Sequence, residues 1–304
     1  MPEGPEVRRY ADTLHEALAG KPITVITART KAAKRYLAEN DVHIAGKRIE
    51  RVFARGKNLI GLLESGYYFY SHLMMWGRWE VSLTGTPDAV DRRERARIVV
   101  SDGASAILLS APIFEVGQGD PLLDIDTLRH LGTDILPQPG TGPFSEDCFR
   151  DRLLSPANRE RAIGAVLLDQ TVVAGIGNYL RAEILFLCRI NPYLLIADLT
   201  EAKIHELCLM IPLVAARAYA GKGMTVTETD HQRMAGDRSL LYPKASPEWG
   251  GRHYVFRRTN LPCLVCGTTI RQKRQVTRRR EDGEEKERII FFCPRCQRVE
   301  FPSI

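Results

Sequence analysis

The 304-residue chain is long enough for two medium-sized domains with cores of their own, and its 44% hydrophobic and 26% charged residues are ordinary globular values. A net charge of +6 leans toward an acidic partner, of which nucleic acid is the commonest. The charged start precedes no apolar signal stretch and no apolar run is long enough to cross a bilayer, so an intracellular protein without membrane contact is expected.

The chain begins Met1-Pro2-Glu3-Gly4-Pro5-Glu6. Removal of Met1 ahead of a small residue would leave Pro2 as a terminal secondary amine. An α-amino group titrates near 8, about two units below lysine, so part of it is a free nucleophile at neutral pH. Its attack on a sugar C1′ yields an iminium ion that acts as an electron sink. Glu3 and Glu6 are then placed to move protons on the opening sugar ring. The plain alternative is an exposed tail that happens to start with proline.

Residues 5–19 read as an amphipathic helix, with Val7, Tyr10, Ala11, Leu14 and Leu18 at helical spacing and Gly20 to stop it. Such a helix would hold Pro2 still. From about 22 to 118 the pattern changes to short strands: Ile23–Ala28, Val42–Ile44, Ile49–Ala54, Asn58–Leu63, Tyr67–His72, Arg78–Leu83, Ala96–Ser101 and Ala106–Ser110. Many short strands with turn signals predict an antiparallel sandwich or barrel. Lys57 sits on a tight turn, as a solvated loop residue or a phosphate ligand on rigid backbone. Leu73-Met74-Met75-Trp76-Gly77 reads either as core or as an apolar wedge that enters DNA and fills the gap left by an extruded base.

The Gly- and Pro-bearing stretch 119–145 is expected to link the domains. Helical patterns follow at Cys148–Leu154, Arg161–Leu168, Tyr179–Cys188 and Glu201–Tyr219, the last with Thr200 as N-cap. Val173-Ala174-Gly175-Ile176-Gly177-Asn178 joins two of them in a helix-turn-helix-like unit, where Asn178 can cap the next helix and the glycines let backbone approach a phosphate. Residues 222–250 predict a long mobile loop.

Of seven cysteines, Cys148, Cys188 and Cys208 read as buried small hydrophobes. Cys263-x-x-Cys266 and Cys293-x-x-Cys296 have the spacing of a closed four-thiolate metal site, most simply structural zinc. The 26 residues between the pairs read as a β-hairpin, Ile270–Arg280 and Arg288–Phe292, turning at Asp282-Gly283. From Arg252 onward there are 13 Lys/Arg against 6 Asp/Glu, so the excess positive charge of the whole chain resides here. That suits DNA contact or an ordinary charged surface, while the acidic tip around Glu281, Asp282, Glu284, Glu285 and Glu287 suits solvent.

The PEGPE start, the Arg55-Gly56-Lys57 turn, the Asp169-Gln170…Gly175-Ile176-Gly177-Asn178 segment and the terminal CxxC…CPxCQ pattern, in this order, resemble the Fpg/Nei family of DNA glycosylase/AP lyases over essentially the whole chain. Arg152–Pro156, Leu167–Gln170 and Gly177–Arg181 are most similar to its endonuclease VIII branch. The resemblance implies an α+β multidomain fold: an N-terminal antiparallel β-sandwich with flanking helix (1–130), a linker (131–145), a helix-two-turns-helix DNA-binding domain with the long loop (146–250) and a four-cysteine zinc-finger β-hairpin (251–304). DNA would lie between the domains. Pro2 would be the nucleophile, Glu3 the acid/base of ring opening and β,δ-elimination, and Glu6 its support. Lys57, Asn178 and Arg288 would grip phosphates, Met74, Met75 and Trp76 would fill the void by position rather than identity, and Cys263, Cys266, Cys293 and Cys296 would bind one structural zinc, with no redox or nucleotide cofactor.

The implied function is excision of oxidised bases, mainly pyrimidines, from damaged DNA in base excision repair, by a monomer. The purine-specific branch carries a DPRRFG-type loop where this chain has Ser110-Ala111-Pro112-Ile113-Phe114-Glu115. The alternatives are the same fold acting on oxidised purines such as 8-oxoguanine, and a zinc-stabilised DNA-binding protein without chemistry.

Overall fold

A computed structural model describes every residue except 1, 86–90, 139–141, 243, 280–282 and 300–304; for 41–43, 247 and 279 it describes the backbone alone. Met1, Glu281 and Asp282 therefore lie outside the described residues. The chain forms two compact units, Met1–Leu131 with Gln138–Thr141, and Gly132–Pro137 with Gly142–Ile304.

The first unit starts with α1 (Gly4–Leu18), whose Val7, Ala11, Leu14 and Leu18 are buried, as their spacing predicts. It ends before Gly20, whose φ of +78° suits glycine. Then follow β1 (Ile23–Ala28), α2 (Lys31–Ile44), β2 (Ile49–Arg55), β3 (Asn58–Leu63), β4 (Tyr67–His72), β5 (Arg78–Ser82), β6 (Glu94–Val100), β7 (Ser105–Leu109), β8 (Ile113–Gln118), α3 (Pro121–Asp124) and α4 (Asp126–Arg129). The strands make two four-stranded antiparallel sheets, β1-β6-β7-β5 and β2-β3-β4-β8. Both give alternate side chains to one core, joined by α1 and α2. Phe69, Trp79 and Phe114, with ring centroids 6.1–6.3 Å apart, fasten the two sheets together.

Two departures from the sequence expectation fall here. Val42–Ile44 is the end of helix α2, not a strand. A three-residue apolar run cannot distinguish the two, and the helix is defined by Ala33, Leu37 and Ile44, buried on one face. Strand β8 escaped notice because Pro112 and Gly117 interrupt its pattern, yet it pairs with β4 from Tyr67↔Gln118 to His72↔Ile113.

The second unit comprises β9 (Thr133–Asp134), α5 (Glu146–Leu153), α6 (Ile163–Val166), β10 (Val173–Ala174), α7 (Asn178–Leu187), α8 (Glu201–Ala220), α9 (Glu228–Gly236), α10 (Pro247–Gly250), β11 (Arg271–Arg279) and β12 (Glu285–Phe292). Thr200 caps α8, its hydroxyl accepting from the Lys203 N–H at 3.3 Å. The stretch expected to be a linker carries α3, α4 and β9; β9 pairs in parallel with β10, and Ile135 and Leu136 are buried in the core of this unit.

The expected long mobile loop 222–250 is instead structured. Thr227 caps α9, and Met234, Leu240 and Leu241 are buried together with the hairpin base. The Gly- and charge-rich sequence conceals these few apolar anchors. Cys188 and Cys208 are buried, whereas Cys148 is half-buried.

Candidate functional site

In the first unit, Glu3 is the N-cap of α1, in extended backbone, and its side chain is buried. Its N–H donates to Glu6 Oε2 at 2.9 Å, so Glu6 satisfies one of the donors a helix start leaves open. Pro2 precedes it, half-buried. A carboxylate thus lies next to residue 2 on a helix held by its whole apolar face. That is the rigidity a reacting group needs.

Lys57 is carried by a two-residue hairpin turn between the Arg55↔Asn58 pair of β2 and β3. Gly56 takes φ +59°, as the first central position of a type II′ turn demands. Asn58 closes the turn: its Nδ2 donates to Arg55 O at 2.9 Å and its Oδ1 accepts from Tyr70 Oη at 2.9 Å. Lys57 itself is only 9% exposed, which removes the reading as a solvated loop residue. Burial, and secondarily the Lys57 charge, pushes the His72 imidazole down to about 4, so it is neutral at physiological pH.

Leu73 is buried, but Met74, Met75 and Trp76 are 44%, 56% and 77% exposed. The reading of these three as core is therefore overturned: the chain doubles back there, with Gly77 N–H donating to Leu73 O at 2.8 Å. A Cβ on Gly77 would lie 2.4 Å from that same oxygen, so only glycine permits the turn. Three apolar side chains on a closed loop are the shape of a wedge.

In the second unit, Asn178 is not the helix cap that was expected. Gly177 is the N-cap, and Asn178 is the first residue of α7. Its Oδ1 accepts from Arg181 Nη2 at 2.9 Å. Gln170 holds the preceding turn, accepting the Gly175 N–H at 3.1 Å and donating to Ile176 O at 3.0 Å. Arg288 is exposed on β12 opposite Gln275.

The sequence reading missed the groups that seat this hairpin. Arg181 is fully buried and donates to Gly164 O at 2.8 Å, Gln275 Oε1 at 3.1 Å and Ile289 O at 3.0 Å. Glu183, equally buried, accepts the N–H groups of Tyr254, Val255 and Phe256 at 2.7–2.9 Å and the Thr225 hydroxyl at 2.6 Å. One signal was present: Arg181 and Glu183 are the only charges in the ten-residue helix α7, whose remaining residues after Tyr179 are apolar, and such charges need buried partners.

Among the described residues, Cys263, Cys266, Cys293 and Cys296 form a candidate metal centre, with sulfur atoms all within 4.8 Å of one another. Cys263 and Cys296 are 3.8 Å apart, Cys266 and Cys293 3.5 Å. Zinc bound tetrahedrally at about 2.3 Å requires thiolates about 3.8 Å apart, so the residues fit that ion. Gln297 braces the site, accepting the Cys293 N–H at 2.9 Å and donating to Ile190 O at 2.9 Å.

Residues 1–110 match the formamidopyrimidine-DNA glycosylase N-terminal domain and residues 135–230 the formamidopyrimidine-DNA glycosylase H2TH domain. The chain is 32% identical over 297 residues to Endonuclease 8 of Escherichia coli O17:K52:H18, covering 98% of this chain and 100% of that relative. It is 30% identical over 298 residues to Endonuclease 8 of Salmonella schwarzengrund, with the same coverage. Among solved structures, the Lactococcus lactis Fpg in complex with abasic-site DNA aligns with a TM-score of 0.74 at 23% identity, over 98% of this chain and 100% of that one. The likeness of fold and the full-length identity to curated relatives agree with the motifs: the chain belongs to the Fpg/Nei family of DNA glycosylase/AP lyases.

Proposed function

We propose that this glycosylase excises oxidised pyrimidines and then nicks the abasic strand by β,δ-elimination, with the amine of Pro2 as nucleophile. The observation that carries the reading is the buried Glu3 carboxylate fixed at the start of α1, directly beside residue 2. The amine attacks C1′ as the base leaves, and loss of the ring oxygen bond gives the iminium ion. Glu3 donates a proton to the opening ring oxygen, and iminium formation then makes the C2′ proton acidic enough to be removed. Glu6 supports Glu3 and its proton transfer, one of its oxygens accepting the Glu3 N–H.

Lys57, Asn178 and Arg288 each hold a phosphate of the bound DNA strand. Such contacts give affinity without sequence preference, which a repair enzyme requires. Met74, Met75 and Trp76 offset part of the few kcal/mol that extrusion costs. One zinc ion on Cys263, Cys266, Cys293 and Cys296 closes the hairpin module; with four thiolates it offers no open position and serves structure alone. The preference for pyrimidines is supported by Ser110–Glu115, which departs from the DPRRFG-type sequence of the purine branch and runs into β8 with Phe114 buried in the core.

Borohydride trapping on a duplex with one abasic site, followed by mass mapping, tests the mechanism. A crosslink at Pro2 is expected, and Pro2→Gly, which exchanges the secondary amine for a primary one, should form it more slowly. A crosslink at a lysine, or none with DNA binding intact, sinks the proline mechanism. Faster cleavage of 8-oxoguanine than of thymine-glycol duplexes sinks the pyrimidine preference.

A further inference from the structure

His72 is the last residue of β4, paired with Asn58 on one side and Ile113 on the other, so its backbone is held by the middle of a sheet. Its Nδ1 lies 3.1 Å from the backbone nitrogen of Met74. A backbone N–H can only donate, so this ring nitrogen is the acceptor and the imidazole proton sits on Nε2. Met74 takes φ +53°, a left-handed conformation that a non-glycine side chain adopts only when something holds it there. The bond from residue i+2 back to the side chain of residue i is the same closure that Asn and Asp make in turns, here made by a histidine.

From this geometry we infer that His72 is a positioning residue for the apolar loop: its imidazole accepts the Met74 N–H, fixes the left-handed turn and so directs Met74, Met75 and Trp76 outward. The inference rests on the reading of that loop as the void-filling wedge. A wedge must be rigid before DNA arrives, because ordering it on binding would cost affinity. The Gly77-to-Leu73 bond closes the loop at its base but does not include Met74. His72 supplies the missing constraint, and it needs to be neutral to do so. Its burial, with the neighbouring Lys57 charge, keeps it neutral across the physiological range.

Three proteins decide the matter: the wild type, His72→Ala and His72→Asn. Asparagine retains an oxygen able to accept from the N–H two residues on, and alanine does not. In the free protein, amide exchange at Met74 is expected to quicken about 3- to 10-fold in His72→Ala, the range one net hydrogen bond supplies, and to be restored in His72→Asn. On a lesion duplex with 2-aminopurine opposite the damaged base, the fluorescence change that reports void filling is expected to fall in His72→Ala and to recover in His72→Asn, with thermal unfolding of both variants near that of the wild type. Unchanged exchange at Met74 in His72→Ala would overturn the inference. So would faster exchange with an unaltered 2-aminopurine response, or an asparagine variant that behaves like alanine. Should the wild type itself give no such response, the wedge reading fails, and the exchange result alone still judges whether His72 fixes the turn.

Discussion

Arg181 holds the side chain of Asn178, its Nη2 donating to Oδ1 at 2.9 Å, and the same nitrogen donates to the Ile289 carbonyl at 3.0 Å. One buried guanidinium therefore sets both the first residue of α7 and the strand that carries Arg288. Arg181→Leu keeps much of the volume and leaves several acceptors in the interior unpaired, at about 1–3 kcal/mol for each that water cannot reach. A loss of at least about 3 kcal/mol in urea unfolding is expected, together with weaker DNA binding. Arg181→Lys should recover only part, because an ammonium cannot span the fork. A loss below about 1 kcal/mol for the leucine variant would count against this role.

His253 lies against Tyr179 and Phe256, and burial pushes its imidazole down to about 4. Unfolded, it titrates near its ordinary 6.5. Above pH 6.5 it is neutral in both states and contributes no pH dependence. Between pH 6.5 and 4 the unfolded chain binds a proton that the folded chain refuses, so stability falls by about 1.4 kcal/mol per pH unit as pH drops. Urea unfolding of wild type and His253→Gln at several pH values checks this. The variant should show a shallower slope across that window, and equal slopes would assign the acid sensitivity to other groups.

Gly61 faces Phe69 across β3 and β4. A Cβ added there would lie 2.1 Å from the ring, and that ring is fixed by Trp79 and Phe114. Gly61→Ala is expected to destabilise the first unit by about 1–3 kcal/mol, the usual effect of overfilling a core. A change within about 0.5 kcal/mol would mean that the ring yields without loss of packing.

Zinc removal is expected to abolish DNA binding while leaving the sheets of the first unit folded, because those sheets have a core of their own and the cysteine cluster belongs to the other unit. A chelator titration followed by circular dichroism and a binding assay reads both. Loss of the sheet signal along with binding would contradict it.

Much of this was legible in the sequence because it depends on local spacing. Two CxxC pairs can bring four thiols together, and they do so within 4.8 Å of one another. The apolar repeat of α1, the Gly56 turn under Lys57 and the Thr200 cap are decided by neighbours a few residues apart, where backbone sterics and side-chain reach act directly.

Other features depend on residues distant in sequence. Met74, Met75 and Trp76 look like core by composition, and only the closure of Leu73 onto Gly77, with the Met74 N–H bound to His72, turns them outward. Lys57 looks like a loop lysine, and only the assembled sheet buries it. Residues 222–250 look unstructured until Met234, Leu240 and Leu241 meet the hairpin base. Arg181 and Glu183 become comprehensible when strands and turns some 70 to 110 positions away supply their hydrogen-bond partners. The sequence by itself determined which residues can perform chemistry and bind metal, because those capacities are covalent. Tertiary structure decided which of them are buried, oriented and held, because burial is a property of the contacts made when distant segments meet.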